Sequence, residues 1–327
     1  MNTPIVSIIA LSYNHALYIN EALESIWNQT YRNFEIIIID DASIDNSVEV
    51  IKSFLEKHPT HIPIQYVFHS INQGNCISFN EGLSKAKGKY VIDFALDDVM
   101  LPERIEQQVV FFEKQLGNVG ILFTNAILID EQSKKIGYHY PVNSKQEAIQ
   151  KPPQGKVFKN ILEKYFICPP TMMLRKEMLI SLNGYDETLA YEDFDLWVRA
   201  SQIADFVYLD KITTLYRRTA HSLSSGFYQT QKNPLLASTL VVLKKVYDFC
   251  VEEEEFKLLA QNVQYHQRQC FFTENFDLLD EYSNFLNQLN LRKYRTFLTK
   301  FIEFLGKNRL KLSKLYQMYK KLRYANS

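Results

Sequence analysis

Apolar and polar positions along the first 130 residues alternate between short, wholly apolar runs and stripes at helical spacing. The run Ile5-Val6-Ser7-Ile8-Ile9-Ala10-Leu11 predicts a strand buried on both faces. Asn14 is placed to cap the helix that follows, where Ile19, Ala22, Leu23, Ile26 and Trp27 share one face. Phe34 to Ile39 predicts a second buried strand, which stops at Asp40-Asp41. Ser43 and Asp45 are placed to cap the next helix, with Val48, Ile51 and Leu55 inward, and Ile64 to Phe68 gives a third strand. A helix over 75–86 ends at Gly88, a strand covers 90–94, and Pro102 opens a helix with Ile105, Val109, Phe112 and Leu116 inward.

Val119 to Ile129 reads as a further strand, and 131–160, rich in Lys, Gln and Pro, as a mobile loop or lid. Two short strands follow, at Phe206–Leu209 and Thr213–Tyr216, and everything beyond about residue 234 carries helical periodicity. Strands separated by helices imply an α/β fold with a mainly parallel sheet, helices on both faces and right-handed crossovers. Ligands of such sheets bind beyond the carboxyl ends of the strands. Three loops qualify, Ser12-Tyr13-Asn14, Asp40-Asp41-Ala42-Ser43 and Asp97-Asp98, and they are polar or acidic as a polar ligand with a divalent cation requires.

Asp97 and Asp98 follow the apolar run Tyr90 to Phe94 directly, and two adjacent carboxylates cannot enter a core without a large desolvation cost. They suit a hard cation such as Mg²⁺ or Mn²⁺ with open positions for phosphate oxygens. Taken alone, they suit equally a solvated cap for the helix that Pro102 begins. Glu192 and Asp193, at another helix start with Asp195 close by, form a second acidic site where a carboxylate can take a proton from a hydroxyl nucleophile.

Over roughly residues 4 to 225 the chain resembles a family 2 glycosyltransferase of the GT-A fold. The likeness rests on Val6-Ser7-Ile8-Ile9 with Ser12-Tyr13-Asn14, Ser25 to Thr30, Phe34 to Ile37 running into Asp40-Asp41-Ala42-Ser43-Ile44-Asp45, and Asn72-Gln73-Gly74. It continues through Asn80-Glu81-Gly82, Ala86 to Tyr90, Asp97-Asp98 with Leu101-Pro102, and Glu192 to Arg199. The resemblance implies a nucleotide-diphosphate sugar donor, a divalent metal (Mn²⁺ or Mg²⁺), and transfer to a hydroxyl with inversion at the anomeric carbon. By position, Asp41 resembles the carboxylate on the pyrimidine base, with Tyr13 packing beside it and Asp40 supporting the turn. Ser12, Asn72, Gly74 and Asp98 would complete the nucleotide site. Asp97 resembles the metal ligand, Asp193 the catalytic base with Glu192 beside it, and Arg217 and Arg218 the cations of a loop over the diphosphate. His221 of that loop would be a second metal ligand. One departure stands out: many relatives carry an acid two residues before Asp97, where this chain has Ala95.

Composition adds a division into a catalytic domain over 1–225 and a helical region over 226–327. The 327 residues carry 37 Lys and Arg against 37 Asp and Glu, yet 290–327 holds 11 of the basic residues and one acid, Glu303. Leu298, Phe301, Ile302 and Leu305, then Leu315, Met318, Tyr319 and Leu322, predict two basic amphipathic helices, which suit an anionic membrane surface or packing on the domain. Cys76, Cys168, Cys250 and Cys270 lack metal or disulfide spacing, so buried thiols are expected. No leader precedes Ile5 and no apolar run approaches the roughly 20 residues of a membrane span, so the expectation is a cytoplasmic protein, peripheral at most at the inner face of the membrane. No nucleic-acid module is recognisable, and no Gly-rich phosphate loop follows the first strand, which disfavours nucleotidyl transfer. The sequence thus points to extension of a glycan or lipid-linked acceptor in cell-surface polysaccharide synthesis, probed with UDP-sugars first. A catalytically impaired nucleotide-sugar-binding protein is the alternative that Ala95 raises.

Overall fold

The first apolar run becomes β1 (Val6–Ser12), buried at every position because the sheet is covered on both faces, Ile8 lying in the cluster with Ile19, Leu23 and Ile26 and Ile9 against Gly82; parallel strands flank it on both sides. These are β2 (Phe34–Asp40) and β4 (Tyr90–Ala95), and β2 in turn pairs in parallel with β3 (Ile64–Phe68). The computed structural model describes residues 5–219, 223–288, 291–313 and 316. Beyond β4 come β5 (Val99–Met100), β6 (Val119–Ile129), β7 (Lys135–Tyr138), β8 (Met173–Arg175) and β9 (Asp205–Arg217). The sheet order is β3-β2-β1-β4-β8-β6-β9-β5, with β7 on β6. It is mixed: the short β8 runs antiparallel to both β4 and β6, and β5 antiparallel to β9. Helices α1 (Ile19–Trp27), α2 (Ser47–Lys57), α3 (Asn75–Lys85) and α4 (Arg104–Glu113) fall between the strands as their stripes predict.

Buried polar groups fix the loops that matter. Gln29 is fully buried; its Nε2 donates to the Ser25 and Leu101 carbonyls, and its Oε1 accepts from Ile105 N–H, which locks the end of α1 to the start of α4. Leu101 N–H donates to Thr213 O at 2.8 Å, so the turn after β4 lies against β9.

Several local expectations need correction. Asn14 does not cap α1; it takes φ +58° and its Oδ1 accepts from Ile44 N–H, bridging two loops instead. Ser43 is drawn to Asp40 rather than to a helix start, and α2 begins later, after Asp45 has accepted from Ser47 N–H and Oγ–H. Leu116 lies beyond the end of α4 and is exposed. Residues 131–160 are no structureless lid: β7 folds back on β6 and Gly155 bridges to Phe206, because backbone partners are available at both places. The two late strands are one, β9, bent by register shifts against β6.

The chain divides into two units. One comprises Met1–Phe158, Phe166–Glu187 and Asp195–Thr219, the other Lys159–Tyr165, Thr188–Phe194 and Ala220–Ser327. Chain order adds α5 (Phe158–Glu163), α6 (Lys176–Ser181) and α7 (Asp193–Ala200), then the helices of the second unit, α8 (Pro234–Phe249), α9 (Glu253–Phe272), α10 (Phe276–Gln288) and α11 (Phe297–Lys307). Asn233 caps α8 by accepting from Leu235 and Leu236 N–H, and Glu252 and Glu255 close a capping box on α9. The acidic run at 252–255 is thereby a helix start, paired with Lys159 and Lys293.

Candidate functional site

The carboxyl ends of β1, β2 and β4 are tied together by backbone bonds that cross from strand to strand. Asp41 N–H donates to Ser12 O at 2.9 Å, Leu96 N–H to Leu11 O at 2.8 Å, and His69 N–H to Asp40 O at 2.9 Å. Asn14 N–H donates to Ser43 Oγ, which closes the β1 and β2 loops on each other. Both oxygens of the buried Asp40 are taken by Ser43, its N–H at 2.9 Å and its hydroxyl at 2.6 Å. Asp40 therefore frames the turn.

Asp41 organises the next loop. Its Oδ1 accepts from His69 Nδ1 at 2.9 Å and Gln73 N–H at 2.8 Å, and its Oδ2 from Gly74 N–H at 2.8 Å, while Asn72 Nδ2 donates to the Asp41 carbonyl. Three of about four acceptor positions are filled, leaving one on Oδ2 for a further donor. Gly74 sits at φ +92°, a conformation that favours glycine, and a Cβ there would meet open space. His69 was not singled out by its sequence; its Nε2 also reaches Glu81 at 2.9 Å. Two carboxylate acceptors call for two N–H groups, the imidazolium form. Burial pulls the His69 pKa down, but the bonds to Asp41 and Glu81 outweigh it and the net direction is up. Nearby, Tyr13 is half exposed, and Ser12 Oγ is buried with no hydrogen-bond partner among the described residues.

At the end of β4 the acid pair splits. Asp98 is buried and its Oδ1 accepts from Arg217 N–H at 2.7 Å. Burial, then the charge of Asp97, pushes its carboxyl well above the ordinary range against the opposing pull of Arg217 and Arg104. A buried carboxyl that turns inward onto a backbone N–H is placed as a framework group of this turn. Arg217 is another. Its Nε donates to the Asp97 carbonyl, Nη1 to Asp130 O and Ser133 Oγ, and Nη2 to Glu21 at 2.6 Å, with Tyr18 packed 4.4 Å from the guanidinium. Arg217 is committed to holding the β4 turn, whereas Arg218 is exposed, stacked on Tyr216 at 4.6 Å.

Asp97 is left as the carboxylate of this turn that reaches solvent, 19% exposed at its side chain. The structure adds His15, whose Nε2 stands 3.8 Å from Asp97 Oδ2 and whose Nδ1 is buried with no hydrogen-bond partner among the described residues. A buried N–H without an acceptor is the costlier orphan, so the proton is placed on Nε2, making His15 a donor toward solvent. No spacing rule marks a lone His four residues before a helix stripe, which is why the sequence hid it. Among the described residues no three of His, Cys, Asp and Glu cluster to hold a metal. One outward carboxylate fits an ion that keeps water and takes most of its ligands from phosphate oxygens, as Mg²⁺ does. His221 lies outside the described residues.

The segment carrying Glu192 and Asp193 belongs to the second unit and is anchored there on α8, by Ala190 N–H to Ser238 Oγ at 2.9 Å and Tyr191 Oη to Thr239 Oγ1 at 2.7 Å. Both acids are half-buried, and Asp193 opens α7. Asp195 is instead buried in a bond with Arg199, which also reaches the Leu182 and Gly184 carbonyls. It holds a turn.

Comparison with known proteins matches residues 7–182 to the family described as Glycosyl transferase family 2. An uncharacterized glycosyltransferase of Methanocaldococcus jannaschii is 28% identical over 201 residues, 61% of this chain and 65% of that protein, so the chain spans just under two thirds of this relative's length. Among solved structures, Staphylococcus aureus TarS 1–349 in complex with UDP-GlcNAc superposes with a TM-score of 0.68 at 15% identity, covering 96% of this chain and 91% of that one. The mannosyltransferase PcManGT from Pyrobaculum calidifontis, in complex with GDP-Man and Mn²⁺, gives 0.58 at 14% identity over 99% and 85%. These likenesses show the fold.

Proposed function

The chain belongs to glycosyl transferase family 2 and is a glycosyltransferase of the GT-A fold, and from that premise we propose that it moves a sugar with inversion from a UDP-sugar to a hydroxyl of a glycan or lipid-linked acceptor. The observation that carries the reading is the split acid pair: Asp98 turned inward onto Arg217 leaves Asp97 as the outward carboxylate at the sheet's carboxyl edge. Asp41, through its remaining acceptor position, receives the base N–H, and Tyr13 packs beside the ring. Asp97 would hold Mn²⁺ or Mg²⁺, which would offset charge on the departing diphosphate. Arg218, in place of Arg217, complements the phosphates. The acceptor oxygen bonds to the anomeric carbon as the bond to the diphosphate oxygen breaks, its electron pair leaving with the nucleotide. Asp193, with Glu192 beside it, takes the acceptor proton.

The catalytic domain of this reading spans 1–225 and the helical region 226–327. We place the enzyme in the cytoplasm at the inner face of the cell membrane, in cell-surface polysaccharide synthesis, attached through its basic end over 290–327. Calorimetric titration of the full chain with UDP-sugars and GDP-Man, with and without Mn²⁺, tests the donor: metal-dependent UDP-sugar binding is expected, and no nucleotide-sugar binding under any metal would sink the proposal. Asp193→Asn should keep donor affinity and lose transfer; near-normal turnover removes it as the base.

A further inference from the structure

The helix α11 (Phe297–Lys307) is apolar on two opposite faces. One face packs inward: Thr299 and Ile302 are buried, and a Cβ on Gly306 would lie 2.9 Å from Leu279 Cδ2, so this side is pressed onto α10. At about 100° per residue, Phe297, Phe301 and Phe304 form a single row on the other side, almost opposite Ile302 and Gly306. They are 86%, 48% and 63% exposed. This divides the stripe that the sequence suggested, because Ile302 faces in while Phe301 and Leu298 face out. Scattered exposed apolar residues need no explanation, but three phenylalanines in a row on an outer helix face do.

Charge decides what covers them. Lys300 and Lys307 are exposed along one flank of the row, Lys311 is exposed just beyond the helix, and 290–327 as a whole carries 11 basic residues against one acid. A symmetric contact with a second copy would bring the two sets of lysines together, which disfavours self-association. An anionic bilayer accepts both parts, with rings at the acyl boundary and ammonium groups among the headgroups. We propose that the Phe297/Phe301/Phe304 face of α11 docks flat on an anionic lipid surface.

This rests on the membrane attachment proposed above and gives it a face. The test is co-flotation of the full chain with phosphatidylcholine vesicles, with and without phosphatidylglycerol, comparing wild type, F301S/F304S and K300E/K307E. The wild type should float with anionic vesicles alone. Both variants should lose at least tenfold in partition while keeping the wild-type melting temperature and UDP affinity. If the wild type ignores anionic vesicles, the attachment itself fails. If it binds and F301S/F304S binds equally, the attachment stands and the α11 face falls. A wild-type dimer that F301S/F304S converts to monomer, with flotation unchanged, would assign the face to a second copy and overturn the proposal.

Discussion

Arg217→Met separates two roles that the sequence left fused, because it deletes a guanidinium whose every nitrogen is spent inside the protein. Methionine fills much of the volume but leaves the Asp97 carbonyl without its donor, while the Asp130 carbonyl keeps the Ser133 N–H and Glu21, 41% exposed at its side chain, is largely rehydrated. One orphaned acceptor at about 1–3 kcal/mol, together with the lost charge-assisted bonds to Asp130 and Glu21, gives a loss of roughly 2–4 kcal/mol. For a domain of this size that lowers the melting temperature by about 10 °C. Arg218→Met, at an exposed position, should cost less than about 0.5 kcal/mol and instead weaken UDP. Thermal and urea unfolding, read beside UDP calorimetry, give both quantities. An Arg217→Met protein as stable as wild type but deficient in diphosphate binding would refute the framework role and restore Arg217 as a ligand cation.

The acid pair should separate in the same way: Asp97→Asn should abolish Mn²⁺-dependent UDP binding. Asp98→Asn should leave stability and binding nearly intact, since Asn can accept the same Arg217 N–H. His15→Ala should weaken UDP by about 10–100-fold, the worth of a hydrogen bond to a charged group, and leave uridine affinity unchanged; equal losses for both would place His15 at the base instead. His69 has its pKa raised in the folded state, so its stabilisation is full below the unfolded value of about 6.5 and is lost as pH rises through the folded value. Glu81 is lowered first by its bond to His69, so its share of the same contact is full above the unfolded value of about 4.3 and is lost as pH falls through the folded value. Denaturation from pH 4 to 9 should therefore show the gap between wild type and His69→Gln widest between those limits and shrinking on the alkaline side. A gap independent of pH would mean that the two carboxylates do not act through the imidazolium.

How much of this was legible depended on what kind of pattern carried it. Strand and helix identities over the first hundred residues follow from runs such as Phe34–Ile39 and from stripes such as Ile19, Ala22, Leu23 and Ile26, where burial is set by period alone. The facing of two adjacent polar residues is set by partners far away in sequence. Asp98 points in because Arg217, 119 residues on, offers its N–H, and that residue stands there because β9 pairs with β5 through Leu215 and Val99. Arg217 and Arg218 look alike as neighbours in the sequence, and strand parity sends one into the protein and the other to solvent. The same holds for Asp40 and Asp41: parity turns one into its own turn and the other across to the loop that Gly74 opens. A motif therefore names a pair, and the partner strand chooses the member that is free to act. The consequence for Ala95 is direct. Ala95 ends β4 and is only half-buried, whereas Asp98, after the turn that its N–H closes onto the Ala95 carbonyl, faces inward onto Arg217 and so does not supply a second outward carboxylate.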